Sequence, residues 1–175
     1  MSKRIDKRRD ELLGLEFTNK HGHRCFIIDY KYSHKVEVMI YDTMSISTME
    51  YSNLKKGSFL DRYKPSLYGV GYLGKSGKVD QNKMAYRAWS HILARCYSPE
   101  VQKKQPYYYD CSVDPRWYCF EVFEQWYVQQ EQRNFKEDYH VGRRWSIDKD
   151  ILVRGNKIYS PDTCCFVPNE INAVV

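Results

Sequence analysis

Between Gly14 and about Asp61 the chain alternates apolar and polar positions with a period near two. The stretches GLEFTN, RCFIIDY, KVEVMIY and SISTMEY are rich in β-branched and aromatic residues. Turn-forming runs such as KHGH and YSHK separate them. This pattern predicts short antiparallel strands that build a small sheet or an SH3-like barrel over residues 14–62. Ahead of it, residues 1–13 carry KRIDKRRDELL, a basic arm with helical character.

Residues 63–82 hold four glycines together with Lys75 and Lys78, and Lys83 follows directly. Their composition predicts a basic linker. Gly69 to Gly74 (GVGYLG) has the spacing of a dinucleotide-binding loop, but the context excludes one. Such a loop follows a buried parallel strand, opens a helix and is answered by an acid about twenty residues on. Here more glycine and lysine follow.

The apolar period then changes to that of a helix. From Gln81 to Tyr97, Ala85, Trp89, Ile92, Leu93 and Cys96 recur on one face, while Arg87, His91 and Arg95 fall four residues apart on another. Asp114 before Pro115 marks a second helix start, running through WYCFEVFEQWYVQQ with Trp117, Phe120, Phe123 and Trp126 facing inward. From His140 onward the pattern predicts a strand (RRWSIDKDI), a loop with a Gly155-Asn156 turn, a strand (TCCFVP) and a short helix. The expected class is α+β: an N-terminal antiparallel sheet or barrel, then a helical segment and a C-terminal strand–strand–helix unit within residues 83–175.

Charge gives the picture a direction. The net charge is +6. The segment 63–105 alone carries +6, whereas 106–139 carries −4. A basic stretch beside an acidic one points to a one-sided polyanion footprint. Tyrosine is abundant, at 16 residues, and suits both strand faces and wet interfaces. No stretch is long and apolar enough to span a membrane, and the first residues lack the apolar core of a signal peptide, so a cytoplasmic location in the host cell is expected. The six cysteines form no CxxC pair, which argues for reduced thiols rather than a zinc module.

The strings YGVGYLG, YRAWSHILARCY, YYDCSVDPRWYCFEVFEQW and IDKDILVRGNKIYSPDTCCFVPNEIN resemble a set of phage proteins identified as HNH homing endonucleases. The resemblance covers roughly the last hundred residues. It implies that the C-terminal unit is a ββα-metal finger. In such a finger a histidine base and an acidic ligand stand on the first strand, an asparagine ties the loop and the helix returns a second ligand. It further implies Asp148 and Asn172 on a Mg²⁺-like ion, with Asn156 structuring the loop. The histidine position holds Lys149. A lysine, with an ordinary pKa near 10.4, is a poor general base at neutral pH. His140 stands eight residues before Asp148, at about 3.3 Å each too far along a straight strand to replace it.

The reading is therefore a phage-type protein of HNH ancestry that binds double-stranded DNA and is weak or inactive as a nuclease. Lys75, Lys78, Lys83, Arg87, His91, Arg95, Arg143 and Arg144 are the expected DNA contacts. Two alternatives stand beside it. One is an active metal-dependent endonuclease. The other is a phage protein that binds and inhibits a host defence protein.

Overall fold

The computed structural model describes residues 2–75, 79–134 and 145–172, with backbone alone at 2–6, 132–134 and 171–172. It is a mixed α+β structure. The chain divides into two compact units, residues 1–64 and 65–175, each with its own apolar core.

In the first unit, helix α1 (Ser2–Leu12) leads into strands β1 (Glu16–Thr18), β2 (Arg24–Tyr32), β3 (Lys35–Ile40) and β4 (Ser45–Met49), and a short helix α2 (Tyr51–Lys55) follows. The strands pair in sequence order into one antiparallel sheet. Of the two forms expected, the open sheet is the one found: β1 and β4 lie at opposite edges. Along β3 the alternation is regular, burying Val36, Val38 and Ile40. On β2 it is not. Cys25 and Ile27 are buried, then the register shifts between Ile27 and Asp29, and Tyr30 is the next residue inside. An extra residue in a ladder swaps the faces of all that follow, and here it brings a tyrosine inward in place of Asp29.

Helix α1 does not stand apart as an arm. Leu12 is buried in this core and Arg9 Nε lies 2.8 Å from Asp29 Oδ1 on β2. Gly14, at φ +79°, ends α1 in the left-handed conformation that a side chain disfavours.

The second unit starts earlier than the sequence pattern places it. Residues 65–75 are not a free linker. Tyr72 N donates to Tyr118 O (2.9 Å) and Phe120 N donates to Tyr72 O (2.8 Å), fastening the stretch to the helical part. Gly71 lies against Trp89 and Leu93, so closely that a Cβ there would sit 2.6 Å from Leu93 Cδ1. Helix α3 (Lys83–Tyr97) begins on an Asn82 cap, whose side chain accepts from Ala85 N. A short helix α4 (Pro99–Lys104) and the two-residue strand β5 (Ser112–Val113) come next.

The helix expected from Pro115 is broken in two. Asp114 caps a single 3-10 turn over Pro115–Tyr118, and α5 (Phe120–Asn134) starts afresh. Between them Cys119 is extended, at φ −84° and ψ 116°, because it bridges to Tyr72. Strands β6 (Trp145–Asp148), β7 (Ile158–Tyr159) and β8 (Cys165–Pro168) and helix α6 (Asn169–Asn172) complete the chain. β7 pairs with β5 in parallel, and β6 pairs with β8 antiparallel, with Ile147 opposite Phe166. The core lies between α3, α5 and this ribbon. Trp89, Trp117, Phe120 and Phe123 are fully buried there, and Trp89 Nε1 donates to Trp117 O at 2.6 Å.

All six cysteines are free thiols, five of them buried. No described helix is long and apolar enough to cross a membrane.

Candidate nucleic-acid interface

Helix α3 has two working faces because its apolar and basic residues follow separate helical rows. Ala85, Trp89, Ile92, Leu93 and Cys96 are buried, while Arg87 and His91 are exposed and Arg95 is half-buried. Lys83, also exposed, precedes Arg87 by four residues and extends the row to four cations or potential cations. Successive members are about 6 Å apart along the helix axis.

Arg87, His91 and Arg95 border one groove of about 230 Å³. Its far wall is β6, through Trp145, Ser146 and Ile147, and Tyr127 and Phe166 contribute from α5 and β8. Among the described residues that line it there is no carboxylate. Sequence reasoning found the basic row but not the wall. The alternation of Trp145 and Ile147 is visible in the chain, but the pairing that sets β6 beside α3 is not.

Arg95 is held from behind. Its guanidinium carbon lies 5.3 Å from the Tyr108 ring centroid and its Nη1 donates to Tyr159 Oη at 3.4 Å. Burial pushes both phenols above their ordinary pKa. They stay neutral at physiological pH, so they position the guanidinium without cancelling its charge.

Lys149 does not face that groove. It is 8% exposed, its Nζ is 3.1 Å from Asp150 Oδ2 and lies 5.9 Å from the Tyr159 ring centroid. Burial opposes ionisation of Asp150 most strongly, but the hydrogen bond and the charge of Lys149, with further hydrogen bonds, together outweigh it and hold the carboxyl below its ordinary value. Lys149 is thus an ion-pair partner.

Asp148 closes the end of β6. Its Oδ1 accepts from Asp150 N (2.9 Å) and Ile151 N (2.7 Å), an arrangement that turns the chain after the strand. Asn156 ties the loop that follows. Its Nδ2 donates to Lys149 O and Ile158 O, both at 2.7 Å, and its Oδ1 accepts from Ile158 N at 3.2 Å.

For a Mg²⁺-like ion the donor set is poor. One Asp148 oxygen already serves two backbone donors, and the adjacent position supplies a cation. Among the described residues no group of three or more His, Cys, Asp or Glu side chains is gathered closely enough to hold a metal. Asn172 closes α6, which packs against β6 and β8, but its side chain lies outside the described residues. His140, Arg143, Arg144 and Lys78 lie outside them altogether. Lys75 is exposed and does not line the groove.

No family model, curated protein or solved structure matches this chain.

Proposed function

We propose that this protein binds DNA through the basic face of α3 and that it does so without efficient cleavage. One observation carries the reading: Arg87, His91 and Arg95 converge on a single groove lined by no described carboxylate. Phosphate contacts dominate the affinity of proteins for DNA, and they need cations presented on one side of a rigid element. A helix with an apolar face fixed in the core and a basic face left outside meets that need. The antiparallel β6–β8 pair followed by α6 supports an HNH-like reading in outline, with β7, which lies between them in sequence, paired instead with β5. Against strong nuclease activity stand the Lys149–Asp150 pair and the use of Asp148 in a turn, which leave neither a neutral base nor a ready ligand set at this place among the described residues.

The test is binding of the full chain to labelled duplex DNA over a range of salt concentrations. Affinity is expected to fall steeply as salt rises. A flat profile sinks the phosphate-contact reading. The companion test is plasmid nicking with Mg²⁺ or Mn²⁺, where supercoiled DNA is expected to stay intact. Nicking that disappears in Asp148→Asn would establish the endonuclease alternative, because asparagine retains the oxygen that the turn requires.

A second reading rests on a different surface. Tyr107 and Tyr109 are 62% and 64% exposed beside Asp110, in the acidic part of the chain. Exposed tyrosines favour protein interfaces, as an inhibitor of a host defence protein would require. Tyr107→Ser with Tyr109→Ser would then leave DNA affinity unchanged and abolish the inhibition.

A further inference from the structure

We infer that the groove between α3 and β6 captures an unpaired nucleotide of the bound DNA, a base that is bulged or everted from the duplex. The inference rests on the DNA-binding reading above and narrows its substrate. Phosphate contact alone asks only for exposed cations. A cavity of about 230 Å³ with Trp145, Ile147, Ile92 and Phe166 in its walls offers something a duplex backbone does not fill. A nucleobase has two apolar faces and a polar edge, and unpaired bases are taken up by aromatic and aliphatic side chains beside a cationic track. The track here is Arg87 and His91, at the exposed lip of the groove.

A polar group for the base edge is already in place. Arg95 is anchored by Tyr108 and Tyr159, so its guanidinium needs no reorganisation to donate to a ring oxygen or nitrogen. Ser146, between Trp145 and Ile147 on β6, turns its Oγ to the opposite face of the strand, where it donates to Asn169 Oδ1 at 2.6 Å. Trp145 is half-buried on the same strand, fixed opposite Pro168 in the β6–β8 ladder. An acidic peptide would satisfy the cations but has no planar face for this wall.

The experiment compares three labelled duplexes of equal length: fully paired, with one central thymidine bulge, and with an abasic bulge at the same place. The thymidine bulge is expected to bind about tenfold more tightly than the abasic one, the worth of one stacked base. Trp145→Leu should remove that tenfold preference, read as the ratio of the two bulge affinities. Ala88→Leu, which fills the groove from α3 and leaves β6 untouched, should do the same and guards against a misfolded Trp145 variant. Equal affinity for the two bulges, or a preference that survives both substitutions, overturns the inference. Salt-dependent binding of all three duplexes with no such preference overturns it while the DNA-binding reading stands. No binding to any of them overturns both.

Discussion

Lys149, Asp148 and Asn156 show how far residue identity alone reaches. The sequence resemblance sets an acid, a lysine and an asparagine against the acid, base and loop tie of a nuclease finger. Their partners are set by the fold: the lysine turns to Asp150 and Tyr159, and the acid to two backbone N–H groups. Asn156 holds three backbone groups together across the loop. Asn156→Ala removes two donors from carbonyls and one acceptor. It is expected to cost about 1–3 kcal/mol, read by denaturant unfolding. A loss near zero would mean that water replaces the tie.

Asp114 supplies a pH test at the same scale. The hydrogen bond from Arg116, whose Nη2 also meets Asp162 at 2.5 Å, holds the Asp114 carboxyl below its ordinary value of 3.8. A depressed carboxylate contributes stability that is present above the unfolded-state pKa and is lost as pH falls through the folded-state pKa. The stability gap between the protein and Asp114→Asn should therefore be widest at neutral pH and narrow below about pH 3.8. A gap that stays constant with pH would assign Asp114 to capping alone.

Elements were legible wherever the apolar period was long and regular. Strands β2 and β3 and helix α3 follow from spacing because one face of each is buried and burial enforces the period, whereas the edge strands β1 and β4 bury no residue. The break in the second helix was not legible. Nothing in PRWYCFEVF announces that Cys119 leaves the helix, since the cause is the distant strand-like contact with Tyr72. The glycines of residues 65–75 misled for the same reason: two of them, Gly71 and Gly74, mark close approaches rather than slack. Gly71→Ala would drive a methyl into Leu93 and Trp89. It is expected to destabilise by about 1–3 kcal/mol, seen as a lower midpoint in tryptophan-fluorescence unfolding. An unchanged midpoint would show that α3 can shift to make room.

For the whole molecule, the uneven charge acts where the fold presents it. Of the eight basic side chains in residues 63–105, Lys83, Arg87 and Arg95 stand on one face of α3, and Arg87 and Arg95 line a groove with β6 to which neither Glu121 nor Glu124 of α5 contributes. Each cation that meets a phosphate contributes about 0.9 to the slope of log affinity against log salt. Arg87→Ala should thus lower both affinity and slope, the slope by about that amount, in a titration followed by anisotropy. A fall in affinity with the slope intact would place Arg87 away from the phosphates.

Local order in this chain was written in its periodicity: which segments are strands, which is an amphipathic helix, and that one side of that helix is basic. Those features depend on neighbours a few residues apart. The groove and the fastening of the glycine-rich stretch depend on contacts across 28 residues or more, such as Trp89 to Trp117 and Arg95 to Tyr159. Packing selects among such pairings by shape and hydrogen-bond satisfaction together, and no short window of sequence carries that information.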